Sequence, residues 1–177
     1  MMIVLSGYMG SGKSVIGKEL ARKLNYSFVD LDEEIEKNQG MKIPEIFSSK
    51  GEIYFRKIEI EVLKSCLKLE ENTILALGGG TPCYGQNLEM IKKNPDTRLI
   101  YLKVDLKTLT ARLFPEKNHR PLISNIKNKE QLDDFLRKHL FERQFYYMQS
   151  DFIIDATTDT PQQITNEIIN RLNASRN

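Results

Sequence analysis

Short apolar runs rich in Val, Ile and Leu recur along the chain, and a longer segment of helical periodicity follows each of them. This alternation predicts βα units around a parallel sheet, because parallel strands are joined by crossover connections that are usually helices. The runs predict strands at residues 3–5, 28–31, 74–77, 99–102 and 152–154. We therefore expect a three-layer α/β fold built on a five-stranded parallel sheet.

Helices are predicted where apolar residues return every three or four positions. Segments 14–24 and 52–69 each carry one apolar stripe of the kind that covers a sheet face, and further helices are expected at 129–148 and after Thr160-Pro161. Between residues 114 and 122 the periodicity breaks in the sequence FPEKNHRPL, which contains two prolines. That segment is predicted to be a mobile surface loop inside one domain that spans residues 1–177.

The composition disfavours several classes of protein but does not indicate a function. A chain of 177 residues with 26 basic and 24 acidic side chains is too evenly charged to favour a nucleic-acid partner. The N-terminus lacks the features of a signal peptide, and no run approaches 18 apolar residues, so we expect a cytoplasmic protein with no membrane partner. Cys66 and Cys83 have no C-x-x-C spacing, so we expect neither a metal site nor a redox pair. His119 and His139 are far apart in the sequence and form no metal-binding pattern, and both are expected at the surface.

The most specific chemical signal is GYMGSGKS, which begins at Gly7 directly after the first apolar run and has the spacing G-x-x-x-x-G-K-S. Glycines here let successive backbone N–H groups surround a phosphate that side chains would obstruct. Lys13 would supply a positive charge to the β- and γ-phosphates, and Ser14 a hydroxyl to Mg²⁺, at the N-terminus of a helix that favours anions. A chance glycine-rich turn is the alternative, but the strand before and the helix after it favour nucleoside triphosphate binding.

The class of phosphate-loop protein is set by what the rest of the chain contains. A GTPase should carry an N-K-x-D segment, and the nearest approach, residues 128–131, reads NKEQ. An ATP-driven machine usually needs a larger body. A small kinase fits best, because 177 residues suffice for a cradle, a lid and one acceptor pocket.

Two carboxylates follow the second predicted strand in the sequence VDLDEEIE. Asp30 and Asp32 lie at its carboxyl end, where ligands bind in open parallel sheets, and in an extended chain their side chains would point the same way. One could hold Mg²⁺ while the other accepts a hydroxyl proton. The alternative is that one of them only caps the next helix.

A glycine triplet and three arginines are the remaining candidates. Gly78, Gly79 and Gly80 could present backbone N–H groups to a small polar substrate, although a flexible loop is the alternative. Arg56 and Arg143 could grip an anionic substrate bidentately, while Arg120, in the lid-like loop, could neutralise charge on the phosphates. Taken singly, such arginines are most often solvated.

Together these motifs resemble the shikimate kinase family. The resemblance rests on GYMGSGKS, DLDEEIE, GEIYFRKIE, LGGG, HRPL and ERQFYY, which occur in the family's order over almost the whole chain. It implies a fold similar to that of nucleoside monophosphate kinases, with a lid at about residues 113–123 and a substrate-binding region at about 32–62. It also implies MgATP-dependent phosphorylation of the 3-hydroxyl of shikimate, on the route to chorismate and the aromatic amino acids. We expect the protein to be a monomer.

The resemblance carries residue roles onto matching positions. Lys13, Asp32 and Arg120 would be catalytic, and Ser14 and Asp30 would lie at the metal. Glu59 would orient Arg56. The nucleotide contacts would be Gly10, Ser11, Gly12, Lys13, Ser14, Val15, Arg112, Arg120 and Pro161, and the shikimate contacts Asp32, Arg56, Gly78, Gly79, Gly80 and Arg143. A gluconate or nucleoside monophosphate kinase, or a nucleotide-binding regulator without activity, remains an alternative.

Overall fold

Helices surround one sheet in the computed structural model, which describes residues 1–69, 71–120 and 122–175, with the backbone alone for His119. No helix within these residues has the length and apolar character needed to cross a membrane. The strands are β1 (Met2–Ser6), β2 (Ser27–Asp30), β3 (Thr73–Ala76), β4 (Thr97–Lys103) and β5 (Phe152–Asp155). The α-helices are α1 (Lys13–Leu24), α2 (Leu31–Gln39), α3 (Ile43–Cys66), α4 (Asn87–Lys93), α5 (Leu106–Glu116), α6 (Lys129–Tyr147) and α7 (Pro161–Ala174), and short 3₁₀ turns lie at Thr81–Cys83 and Lys117–His119.

The sheet has the strand order β2-β3-β1-β4-β5, and every pair of neighbours is parallel. The predicted five-stranded parallel sheet is therefore confirmed. Strands β2 and β3 lie on one side of β1, and the chain then passes to the other side of β1, where it forms β4 and β5. This change of direction makes the carboxyl end of β1 the topological switch point, where open α/β sheets bind their ligands.

Both faces of the central strand β1 are buried, which explains its unbroken apolar sequence. Ile3 and Leu5 belong to a core cluster with residues of α1, α5, α6 and α7, while Met2 and Val4 belong to a second cluster with residues of α2, α3 and α4. Alternate side chains of one strand thus serve the two faces. The result is the expected arrangement of helix, sheet and helix.

The third helix differs from the prediction at both ends. It was expected at 52–69, but α3 begins at Ile43 with a proline in its first turn, bends at Gly51 where φ is 79°, and ends at Cys66. The prediction found only the part after the bend, because the glycine interrupts the apolar stripe. Leu69, which was assigned to that stripe, lies beyond the helix and is 40% exposed.

The segment predicted as a loop at 114–122 is partly helical, so that expectation is wrong for its first half. Helix α5 continues through Pro115 and ends one residue later, followed by the 3₁₀ turn at Lys117–His119. Pro115 has no N–H to donate to the carbonyl of residue 111, and its ring crowds that carbonyl, so the helix ends within one residue of it. Leu113 and Ile123 are fully buried and anchor the segment at both ends, while Pro121 lies outside the described residues. Its motion as a lid stays a prediction.

Candidate active site

The phosphate loop joins β1 to α1 and curls over the carboxyl end of the sheet. Gly10 and Gly12 have φ angles of 80° and 90°, a left-handed region that side chains disfavour. A Cβ at Gly10 would also lie 3.1 Å from the buried side chain of Leu113. The loop therefore requires glycine for its backbone conformation, and α1 begins directly behind it at Lys13.

The side chain of Lys13 forms hydrogen bonds with the backbone of the phosphate loop. Its Nζ donates hydrogen bonds to the carbonyl oxygens of Gly7 at 2.9 Å and Tyr8 at 3.1 Å. Burial lowers the pKa of the Lys13 ammonium to about 8, against the attraction of Asp32 and Asp30. A phosphate in the loop would add negative charge beside this ammonium and so favour its protonated form.

Asp30 caps α2 and also contacts the phosphate loop. Its Oδ1 accepts a hydrogen bond from the backbone N–H of Asp32 at 3.1 Å, and its Oδ2 accepts one from Oγ of Ser14 at 2.7 Å. The expectation of two carboxylates side by side on an extended chain is wrong, because α2 begins at Leu31 and Asp32 lies in its first turn. The capping role that was the alternative for one aspartate exists, together with the contact to Ser14.

Asp32 lies against the glycine triplet. A Cβ at Gly78 would stand 2.7 Å from Oδ1 of Asp32, so the absence of a side chain there leaves room for this carboxylate. Burial and the neighbouring Asp30 carboxylate raise the pKa of Asp32 to about 6, and Lys13 opposes the rise. A carboxylate that ionises near neutral pH is suited to accept a proton.

Gly79 and Gly80 are close to two other parts of the site. A Cβ at Gly79 would lie 3.2 Å from the backbone N of Met9, and one at Gly80 would lie 3.3 Å from both terminal nitrogens of Arg56. The triplet is thus packed between the phosphate loop, Asp32 and Arg56. Its glycines permit close approach rather than simple flexibility.

Arg56 is held by carboxylates and an aromatic ring. Its Nη1 donates to Glu59 at 2.8 Å, and its Nη2 pairs with the exposed Glu52 at 3.3 Å. The guanidinium lies 3.5 Å from the ring centroid of Tyr84. Glu59, only 1% exposed, also accepts a hydrogen bond from Thr81 at 2.7 Å. These contacts hold the guanidinium in one orientation, and the orienting role of Glu59 toward a substrate stays a prediction.

Arg143 lies on the buried face of α6 and is 8% exposed. Among the described residues, no carboxylate forms an ion pair with it, and its guanidinium lies 5.7 Å from the ring centroid of Tyr8. Both Arg143 and Arg56 lower the pKa of the Cys83 thiol, although burial outweighs them and raises it to about 11. Both arginines therefore lie near Cys83, in the segment that follows the glycine triplet.

Three side chains at the site were not singled out from the sequence as functional. Oη of Tyr8 and Nδ1 of His139 form a hydrogen bond of 2.7 Å, and Oη of Tyr147 donates to the carbonyl of Gly79. The expectation that His139 is a surface residue is wrong, since it is half-buried against Tyr8 and Phe135. Only its position four residues before Arg143, on the same face of a helix, could have drawn attention to it.

Arg112 and Arg120 approach the phosphate loop from the segment that carries the predicted lid. Arg112 donates to the carbonyls of Gly10 at 3.1 Å and of Ala156 and Thr157 at 3.3 Å, and so links the loop to the segment before α7. Arg120 pairs with Glu116 at 2.8 Å, and its buried Nε has no hydrogen-bond partner among the residues that the structure describes.

A cavity of about 450 Å³ opens where these elements meet. Its lining brings together most of the expected nucleotide residues with both aspartates: Gly10, Gly12, Lys13, Ser14, Val15, Asp30, Asp32, Gly79, Arg112 and Arg120, joined by Met9, Leu77 and Glu116. Six expected residues lie outside this lining. Ser11 is a buried residue of the loop, Pro161 starts α7, and the others are Gly78, Gly80, Arg56 and Arg143.

The oxygens of Ser14 and Asp30 fit a magnesium ion that is shared with phosphates. Within the described residues, no three His, Cys, Asp or Glu side chains cluster as a complete metal site. Mg²⁺ is usually held by one or two protein oxygens, substrate phosphates and water rather than by such a cage. A hydroxyl and a carboxylate in contact beside the phosphate loop are donors of this kind.

Comparisons with known proteins agree over nearly the whole chain. The sequence model of the family described as shikimate kinase matches residues 9–173. Shikimate kinase from Flavobacterium psychrophilum is 46% identical over 166 residues, which cover 94% of this chain and 95% of the relative.

Solved structures give the same result. Shikimate kinase from Bacteroides thetaiotaomicron superposes with a TM-score of 0.89 at 33% identity, over 98% of each chain. The enzyme from Acinetobacter baumannii in complex with shikimate has a TM-score of 0.88 at 30% identity, over 98% of this chain and 93% of its own. Sequence and fold thus agree, and the chain belongs to the shikimate kinase family.

Proposed function

We propose that this protein transfers the γ-phosphoryl group of ATP to the 3-hydroxyl of shikimate and forms shikimate 3-phosphate and ADP. Family membership over residues 9–173 supports the reaction as a whole. The observation that carries the choice of substrate is the buried guanidinium of Arg143, which has no described carboxylate partner and lies next to the phosphate loop. The reaction belongs to the pathway that leads to chorismate and the aromatic amino acids.

The acid is bound through its carboxylate by Arg143 and Arg56. A buried guanidinium without an internal counter-ion is costly, and a substrate carboxylate would supply that counter-ion. Arg56 already has Glu59, which fixes its orientation and leaves Arg143 to provide most of the net attraction. The two donors match the planar geometry of a carboxylate.

The nucleotide is bound by the backbone of the phosphate loop, with Arg112 on the adenine side. Lys13 and Arg120 both line the cavity and carry positive charge toward the transferred group. Phosphoryl transfer places charge on the equatorial oxygens in its transition state, so fixed cations stabilise it more than the ground state. Ser14 and Asp30 would hold Mg²⁺, which would neutralise charge on the β- and γ-phosphates.

Asp32 receives the acceptor hydroxyl. Its carboxylate lies beside Gly78 and lines the same cavity as Lys13, so a hydroxyl bound there would face the γ-phosphate. It orients the hydroxyl for in-line attack and takes its proton as the bond to phosphorus forms. Closure of the segment at 113–123 would exclude water and limit ATP hydrolysis.

A coupled ADP-release assay tests the proposal. MgATP is supplied with shikimate, with gluconate or with a nucleoside monophosphate, and the phosphorylated product is identified by mass spectrometry. Of the three acceptors, we expect only shikimate to be phosphorylated, and we expect this activity to be lost in the variants Lys13→Ala and Asp32→Asn. Turnover with gluconate or a monophosphate but not shikimate would replace the proposal with a sibling kinase, and ATP binding without any turnover would favour a regulator. The cytoplasmic location and the monomeric state stay predictions.

A further inference from the structure

One face of α6 contacts both the phosphate loop and the glycine triplet. His139, Arg143 and Tyr147 follow one another at intervals of four residues and so lie along the same side of the helix. Tyr147 donates a hydrogen bond to the carbonyl of Gly79, which fixes the glycine triplet to the helix. His139 makes the corresponding contact to Tyr8 in the phosphate loop. Arg143 lies between these two attachment points.

Tyr8 has two distinct roles in this arrangement. Its backbone carbonyl accepts the 3.1 Å hydrogen bond from Lys13, on the nucleotide side. Its side chain is 1% exposed and turns the other way, toward α6, where its ring lies beneath the guanidinium of Arg143 at 5.7 Å. The ring therefore lies under a guanidinium for which the described residues provide no carboxylate partner.

The hydrogen bond between Tyr8 and His139 lies where burial disfavours charge on either side chain. Burial lowers the pKa of His139, helped by the positive charge of Arg143, while burial raises the pKa of Tyr8. The imidazole is also packed 5.0 Å from the ring of Phe135 and edge-on to Tyr8 at 5.7 Å. Its orientation is thus fixed by packing as well as by the 2.7 Å hydrogen bond.

We propose that His139 is a positioning residue for the acid substrate, because its hydrogen bond fixes the ring of Tyr8 and so orients Arg143 toward the substrate carboxylate. The inference rests on the proposed function and adds to it a residue that does not line the cavity. Arg143 has no described carboxylate partner that would hold it in place, unlike Arg56, which is fixed by Glu59. Its placement therefore depends on the ring beneath it, and a guanidinium that is already oriented loses less entropy when the acid binds.

Steady-state kinetics with both substrates varied tests this role. Tyr8→Phe keeps the ring and removes the hydroxyl, and His139→Phe keeps the packing against Phe135 and removes the nitrogen. Each is expected to raise KM for shikimate about three- to tenfold, the effect of one lost hydrogen bond, with KM for ATP and kcat within about twofold. His139→Asn, whose amide can occupy the position of Nδ1, is expected to restore much of the affinity.

The double variant Tyr8→Phe/His139→Phe separates positioning from stability. Each single change leaves a buried polar atom without its partner and lowers the melting temperature, whereas removal of both partners recovers much of the loss. KM for shikimate should nevertheless stay as high as in the single variants. Tyr101→Phe, which removes a hydroxyl from another buried tyrosine on β4, is the matched control and should leave both KM values unchanged.

Three results would overturn the inference. The first is a KM for shikimate that is unchanged in both single variants. The second is a rise in KM for ATP without a rise in KM for shikimate. The third is a double variant in which KM for shikimate recovers together with the melting temperature. Failure of the proposed function is distinguishable, since the unaltered protein would then not turn over shikimate at all. If His139→Phe does not fold, Tyr8→Phe and His139→Asn still decide the outcome.

Discussion

Oγ of Ser14 donates a hydrogen bond of 2.7 Å to Oδ2 of Asp30 and so ties the first turn of α1 to the end of β2. The other carboxylate oxygen of Asp30 caps α2 by accepting the backbone N–H of Asp32. One side chain therefore serves the fold through its cap and the proposed metal site through its charge. Substitutions that remove these properties separately can distinguish them.

Asp30→Asn keeps an oxygen for the cap but loses the charge, so we expect it to raise the magnesium concentration for half-maximal activity about tenfold and to change the melting temperature little. Asp30→Ala should show the same magnesium dependence and also lose about 1 kcal/mol of stability with the cap. Magnesium titration of the activity and thermal unfolding measure the two effects. A magnesium dependence in Asp30→Asn equal to that of the unaltered protein would remove Asp30 from the metal site.

The pH dependence of kcat/KM should report Asp32. Burial and Asp30 raise the pKa of Asp32 to about 6, and only the ionised carboxylate can accept the proton of the hydroxyl. The value of kcat/KM for shikimate is therefore expected to be level above that pH and to fall about tenfold per pH unit below it. A flat profile between pH 5 and 7 would show that Asp32 does not act in its ionised form.

The same carboxylate should weaken the unliganded fold at neutral pH. Its pKa of about 6 in the folded protein is higher than the usual 3.8 of an aspartate, so the folded state binds the proton more tightly and stability falls as pH rises through this interval. Asp32→Asn, which resembles the protonated form, is expected to gain about 3 kcal/mol at pH 7 and little at pH 4. Urea unfolding at pH 7 and pH 4 measures the difference; an equal change at both pH values would contradict this cause.

Alanine at two of the glycines should disturb different kinetic constants. A Cβ at Gly78 would displace the carboxylate of Asp32, whereas one at Gly80 would press on the guanidinium of Arg56. We therefore expect Gly78→Ala chiefly to lower kcat, by roughly tenfold or more, since misplacement by about 1 Å can cost on the order of a hundredfold. Gly80→Ala should chiefly raise KM for shikimate, by a smaller factor, since the contacts there are less close than at Gly78. Melting temperatures serve as the control for unfolding. Identical kinetic defects in both variants would indicate a general disturbance of the loop.

Local patterns in the sequence were sufficient for the strands and the phosphate cradle. Continuous apolar runs specify strands that are buried on both faces, and glycines at 10 and 12 specify left-handed backbone that other residues disfavour. Both signals arise from interactions between residues that are close in the chain. The same approach misplaced the start of α3, because Gly51 bends that helix without ending it.

Contacts between distant parts of the chain were decided only by the tertiary structure. Tyr8 and His139 are 131 residues apart and meet only because α6 packs on the face of the sheet that carries the phosphate loop. Sequence patterns such as helix caps, glycines and apolar periodicity involve only residues that are close in the chain. They contain no information about pairs so far apart. The sequence alone therefore determined which groups are present for phosphate chemistry, while the packing of α6 decided which ring supports Arg143, since that depends on the relative placement of whole elements.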